Sequence, residues 1–396
     1  MKNTIYKARW ILPQTSPAIE DGAVLVENNR ITAVGRAAEI LPLKNSQTRL
    51  IDYQEAVIVP SWINAHAHLE LSALKGGIND FRNFVEWIEQ LIALRDSISS
   101  EQIIASAKAG AKDLRASGCA LVGDISNGDL LADRMFVPGL QRLVFFELLG
   151  FQQKKAEEIF EQAREKGARE NPQAMLAAHA PYSSSMALMK KIAGVSKPFT
   201  IHLAESPEEN VFLCEGSGPI RTFLQKRDVW DKNWKVPGKR PVEYLMKYGL
   251  LSVNTLLVHG VQVNDADLNM IKESGATVCI CPRSNEKTAV GKAPLEKYLQ
   301  KGILLTLGTD SLASNVDLDM NNEIYYTVRN YPQVPPQALI KMATMNGARI
   351  LGREGELGSL QAGKKASFNV FVSKDTINND PEEFVVTKSW SKIICL

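Results

Sequence analysis

The sequence predicts an α/β fold: a (β/α)8 TIM-type barrel carrying a small β-sandwich domain built from both chain termini. Between Val57 and about Leu312, eight short apolar runs rich in β-branched residues alternate with longer segments of helical period. The runs are nearly continuous in apolar residues, as strands buried on both faces are. The flanking stretches are strand-like and lack such crossovers. At 396 residues the chain is long enough for one large barrel and a small companion. A doubly wound open sheet is the alternative that the same alternation allows.

Residues 1–56 supply the first part of the small domain through "TIYKARWILP", "GAVLVENNRITAVG" and "RLIDYQEAVIVP", with Asn28-Asn29 as a hairpin turn. Residues 57–350 form the expected barrel. Its strand candidates are "VIVPSWINAH", "CALVGDIS", "RLVFFELLG", "AMLAAHAP", "FTIHLAE", "NTLLVHG", "TVCICP" and "ILLTLGTD". Amphipathic stretches such as "FRNFVEWIEQLIALRDSI", "SEQIIASAKAGAKDLRAS" and "ADLNMIKESG" lie between them. Residues 351–396, with "GSLQAGKKASFNVFVSKDTI", are expected to return against the N-terminal strands.

Composition narrows the function. With 46 basic and 44 acidic residues the net charge is +2, so no footprint of a nucleic-acid or anionic-membrane binder is visible. Five cysteines without C-x-x-C spacing suggest neither a disulfide framework nor a cysteine zinc site. The start "MKNTIYKARWILPQTSP" lacks the apolar region of a secretory signal, and no apolar segment reaches membrane-spanning length. A cytoplasmic protein acting on small molecules is the expectation.

The chain has five histidines, 66, 68, 179, 202 and 259, and all fall at the C-terminal ends of predicted barrel strands, as does Asp310. In such a barrel those ends share the face that carries the active site. A strand-end histidine taken alone is more often a hydrogen-bonded structural residue; five of five with an aspartate point to a site. Residues two apart on a strand face the same side, so His66 and His68 can present two imidazoles to one point. His202 and Asp310 can complete three nitrogens and one oxygen, leaving room for water as a catalytic zinc site requires. Zinc lowers the pKa of such a water to about 7. Cys279 and Cys281 share a strand face and are read as small buried thiols. Arg283 is expected on a loop over the substrate, where it can fork onto a carboxylate or form a surface salt bridge.

The segments "NAHAHLE" (64–70), "HAPYS" (179–183), "HLAESPEE" (202–209), "VHG" (258–260), "CPRSN" (281–285) and "LGTDSLASN" (307–315) resemble, in this order, the amidohydrolase superfamily. Within it they are similar to the branch of adenosine, S-adenosylhomocysteine and aminodeoxyfutalosine deaminases, guanine deaminases and triazine chlorohydrolases. The resemblance implies one divalent metal on His66, His68, His202 and Asp310, usually zinc and sometimes iron(II). Binuclear members carry a lysine at the end of strand four, where this chain has "AAHAPY". The resemblance makes Glu205 the general acid/base, His259 a base toward the water, and His179 a substrate contact. It also makes Glu86 in "FVEWI" the acid that holds ribose hydroxyls, although a helical glutamate can equally face solvent. Two departures are noted: Ser61 replaces the usual glycine, and "KASFNVF" lacks the usual aspartate.

The motif wording is most similar to aminodeoxyfutalosine deaminases of a menaquinone route, which implies deamination of an adenine nucleoside to its hypoxanthine form. Adenosine, methylthioadenosine or S-adenosylhomocysteine deaminases share the whole site. A chlorohydrolase fits less well, since Glu205 supplies the proton that departing ammonia needs more than chloride does. A non-catalytic barrel used as a binding module is the rival of another class. The expected partner is a small nucleoside, and a homodimer is an assembly open to such a chain.

Overall fold

The computed structural model describes residues 3–130, 132, 137–377 and 380–396. The chain opens with β1 (Thr4–Ile11), β2 (Ile19–Glu27), β3 (Arg30–Arg36), β4 (Arg49–Asp52) and β5 (Ala56–Pro60). Asn28 and Asn29 both have positive φ, 49° and 63°, the conformation that a tight hairpin between β2 and β3 demands.

Barrel strands follow as β6 (Trp62–His68), β7 (Cys119–Ser126), β8 (Gln141–Leu148), β9 (Met175–Ala178), β10 (Phe199–Leu203), β11 (Thr255–His259), β12 (Thr277–Ile280), β13 (Leu305–Leu307) and β14 (Asp310–Ser311). The last two, split at Gly308 and Thr309, act as one eighth strand. Every ladder is parallel, in the orders β14-β6-β7-β8-β9 and β10-β11-β12-β13. The His202 N–H donates to the His179 carbonyl at 2.9 Å, which links the two halves into a (β/α)8 barrel. Gly308 stands where this eighth strand meets the first: a Cβ there would lie 2.8 Å from the His66 carbonyl oxygen. Ile63, Ala65, Leu121, Phe145, Leu256 and Val258 fill the barrel interior. Cys279 and Cys281 sit among them as buried thiols.

The ends of the chain meet in one mixed sheet, completed by β15 (Phe368–Val372) and β16 (Lys392–Cys395), in the order β16-β15-β5-β1-β2-β3 with β4 on β1. The small domain is one hydrogen-bonded sheet among the described residues, and on its barrel side Trp10, Val57, Val59 and Phe371 join the main core with Trp62. Ala56 and Ile58 face the sheet's own cluster.

The boundaries move. Val57–Pro60 belong to β5 of this sheet, paired with β15 and β1, so the barrel begins at Trp62. A continuous apolar run does not mark where one sheet ends and the next begins. At the other boundary, Leu351 and Leu357 pack into the base of the barrel interior. No helix among the described residues is long and apolar enough to cross a membrane.

Candidate active site

His66 and His68 come from β6, His202 from β10, His259 from β11 and Asp310 from β14. The Nε2 atoms of His66 and His68 lie 3.1 Å apart, and that of His202 lies 3.2 and 3.4 Å from them. Asp310 Oδ1 is 3.7 and 3.6 Å from the Nε2 atoms of His66 and His68. A tetrahedral ion with bonds near 2.0–2.1 Å has ligand atoms about 3.3 Å apart, so this donor set fits one divalent ion. Burial pushes His68 down to about 3 and His202 well below the usual histidine range, favouring the neutral form that a ligand requires.

The surroundings orient these donors. His202 Nδ1 lies 2.8 Å from the His179 carbonyl, so its N–H points there and Nε2 keeps its lone pair for the cluster. Ser284 and Ser314 place hydroxyls 2.6 and 2.8 Å from Asp310 Oδ2, leaving Oδ1 toward the histidines. Asn64 binds Thr309 through both ends of its amide, at 2.6 and 3.2 Å, and ties the first strand to the last. Ala204, His259 and Asp310 have φ values of 51°, 75° and 57°. Such strain at three strand ends of one face is a mark of a functional site.

Beside the cluster, Glu205 Oε1 is 3.4 Å from His259 Nε2. Burial, then Asp310, Glu209 and Glu208, raises the Glu205 carboxyl well above its usual range. His259 is pushed down to about 4, chiefly by burial, and its Nδ1 meets Asn285 Oδ1 at 2.9 Å. Burial thus favours the protonated carboxyl of Glu205 and the neutral imidazole of His259, a pair that can deliver one proton and accept another. A cavity of about 330 Å³ opens over both groups and over His68, His179, His202 and Asp310.

Residues 57–392 match the amidohydrolase family. The chain belongs to the amidohydrolase family. It is accordingly a hydrolase acting on carbon–nitrogen bonds, and amidohydrolases use a divalent metal ion. This amidohydrolase is 30% identical over 351 residues to an aminodeoxyfutalosine deaminase of Deinococcus radiodurans, covering 84% of this chain and 81% of the relative. It is 30% identical over 381 residues to a 5-methylthioadenosine/S-adenosylhomocysteine deaminase of Moorella thermoacetica, covering 92% and 85%. Its fold matches Helicobacter pylori aminofutalosine deaminase in complex with methylthio-coformycin with a TM-score of 0.83 at 24% identity, over 98% of this chain and 97% of the other. A zinc-bound adenosine deaminase from Xanthomonas campestris gives a TM-score of 0.74 at 22% identity, over 97% and 88%.

Two residues expected at the amidohydrolase site stand elsewhere. On the helix Phe84–Asp96, residues 84, 87, 88, 91, 92 and 95 border the cavity, a single helical face. Glu86 is off that face and pairs with Arg82. The carboxylate of this helix that borders the cavity is Asp96. Arg283 forks onto Asp317 at 2.8 and 3.0 Å, so its guanidinium is committed within the protein and does not border the cavity.

Other cavity residues were not anticipated. Glu147 ends β8 beside His179, its Oε2 held 2.8 Å from Asn127 Nδ2, and burial pushes it up to about 7. Its signal was available, a lone charge inside the apolar run "LVFFELL". Asn127 is placed by Glu70, which is buried and accepts the backbone N–H groups of Asn127, Gly128 and Leu130 at 3.0, 3.2 and 2.7 Å.

Proposed function

We propose that this amidohydrolase removes ammonia hydrolytically from the adenine ring of a nucleoside, with 6-amino-6-deoxyfutalosine as substrate. The observation that carries the reading is the Glu205–His259 pair set against three imidazole nitrogens and the Asp310 carboxylate at the floor of one cavity. In it, His66, His68, His202 and Asp310 hold one divalent ion, zinc in first place and iron(II) as the alternative. When bound, the ion supplies Lewis acidity that makes water a nucleophile near neutral pH.

The chain's own groups then divide the proton work. His259 Nε2 takes a proton from the water that adds to C6, while Asn285 keeps its other nitrogen engaged. Glu205 protonates the ring nitrogen next to C6, then takes the remaining proton from the added hydroxyl and passes it to the departing amine, and regains its own proton from His259, 3.4 Å away. Water is consumed, ammonia leaves, and the ring keeps the oxygen as the hypoxanthine form. Phe84, Trp87, Leu91 and Phe223 give the cavity an apolar wall for a flat ring and its 5′ arm. Asp96, in place of Glu86, is the carboxylate of that helix which faces the sugar hydroxyls, and His179 and Glu147 hold the remaining polar edge.

The names of the D. radiodurans and H. pylori relatives support the substrate, and the Moorella relative, equally identical, supports methylthioadenosine or S-adenosylhomocysteine as the rival. A panel of these nucleosides with adenosine, followed by the adenine-to-hypoxanthine absorbance change, decides between them. The highest kcat/KM is expected for 6-amino-6-deoxyfutalosine. A preference of tenfold or more (about 1.4 kcal/mol) for another nucleoside removes the substrate assignment and leaves the deaminase. The absence of turnover on all of them removes both.

The two helix carboxylates give a paired test. Asp96→Asn is expected to raise KM by about tenfold or more, the worth of a hydrogen bond to a charged group. Glu86→Gln is expected to change KM less than about twofold, as for other exposed helix pairs. The reverse pattern restores Glu86 to the sugar.

A further inference from the structure

The short helix Pro282–Lys287 after β12 carries Ser284, which holds Asp310 Oδ2, and Asn285, which meets His259 Nδ1. The loop after β14 carries Ser314, which holds the same Asp310 oxygen. Two groups of the proposed reaction thus depend on this helix and that loop keeping a fixed separation. The two segments start from different strands that share no ladder, and at the site they meet directly where Ser284 Oγ donates to Ser314 Oγ at 2.8 Å. A second tie lies beneath that contact.

Glu323, on the helix Met320–Asn330, reaches both. Its side chain is fully buried. One oxygen, Oε1, accepts the backbone N–H of Arg283 at 3.0 Å, on the residue just before Ser284. The other, Oε2, accepts from Asn315 Nδ2 at 3.2 Å, on the residue just after Ser314. Asn315 Nδ2 also donates to the Thr309 carbonyl at 2.9 Å, on the residue just before Asp310. The Arg283 guanidinium lies 3.7 Å from Glu323 and is locked by Asp317, so the carboxylate is charge-compensated without any contact to the cavity.

We infer that Glu323 is a positioning residue of the catalytic centre: bridging Arg283 and Asn315, it keeps Asn285 on His259 and the two serines on Asp310. Its effect is on geometry and tautomer, through other side chains. A short carboxylate bridge suits this task because both its oxygens accept, and the helix and the loop each present an N–H group. In Glu323→Gln one oxygen becomes an NH2 group that faces a donor on one side or the other, so one arm of the bridge is lost while volume is kept.

The inference rests on the deaminase reading only for its kinetic readout. In metal-loaded Glu323→Gln, kcat on the preferred adenine nucleoside is expected to fall by about tenfold or more, with KM and metal content within about twofold of wild type, as losses at groups that orient ligands run to 10–100-fold. A second readout needs no turnover: in histidine-labelled protein, the nitrogen spectrum should show His259 protonated at Nδ1 in the wild type and a mixture of tautomers in the variant. Asn315→Ala, which removes the other arm and leaves the buried carboxylate, should shift the same spectrum in the same direction if Glu323→Gln does not fold. Unchanged kcat and tautomer in either folded variant overturns the inference. So does a kcat loss matched by loss of metal, since the bridge would then serve only the ligand set. A wild type that deaminates no nucleoside, yet shows the tautomer change, overturns the deaminase reading and leaves the positioning role.

Discussion

Glu205→Gln is expected to keep its metal and its fold while kcat falls by about 10²–10⁴-fold, the span over which positioned acid–base groups act. Glutamine has the same shape and leaves the Glu205 N–H bond to Glu209 Oε2, 2.9 Å, in place. It has no acid proton to deliver. The loss should fall on kcat with little change in KM, because the protonation is required as the ring nitrogen and amine gain electron density. The leaving group sharpens the test: with a 6-chloropurine riboside the deficit should be at least about tenfold smaller, since chloride departs without a proton. Isothermal metal analysis, steady-state kinetics on both substrates and circular dichroism together check the claim. Activity above about a tenth of wild type on the amine, with metal intact, takes Glu205 out of the mechanism.

His66→Ala is expected to be the more severe change. His66 is 1% exposed, and its Nε2 is the atom closest to both other imidazoles, 3.1 and 3.2 Å away. Removing it takes away one of four donors and leaves a void beside the other two imidazoles, so the remaining set, built around a fourth ligand, should hold the ion more weakly. Metal content should drop well below one per chain under conditions that load the wild type. Activity should fall by about 10³-fold or more, since the ion's Lewis acidity is worth several kcal/mol of transition-state stabilisation. The same loss should follow chelation of the wild type and reverse on adding zinc, whereas zinc should not restore the variant. Metal near zero in freshly prepared wild-type protein, unaffected by this substitution, would instead favour a non-catalytic binding barrel.

Much of the architecture could be read along the chain. Each of the eight apolar runs contains a barrel strand, although Val57–Pro60 of the first belong to β5, because parallel strands covered by helices must be apolar on both sides, and that leaves a local signature. The hairpin at Asn28-Asn29 was equally local, since two successive positive φ angles favour such residues. Glu86 and Arg283 show the opposite case. Each has the right charge near the right motif, but a helix has one cavity-facing side and an arginine takes the nearest carboxylate. Asp96 and Asp317 decide those matters from positions ten and thirty-four residues away.

By itself the sequence determined which residue types stand at the C-terminal strand ends, and therefore that five histidines and an aspartate would gather on one face. Only the tertiary structure decided which way each pointed. On β6, Ile63 and Ala65 fill the barrel interior, so strict alternation would turn His66 outward. The register against β7 slips between Asn64 and Ala67, and the imidazoles of His66 and His68 swing in to meet His202. That slip, like the positive φ of His259 and Asp310, costs local strain and is held by distant partners: Asn64 on Thr309, Asn285 on His259, Ser284 on Asp310. Such partners are far apart in the chain and ordinary in type, so no local pattern announces them. Their roles exist only when the barrel closes.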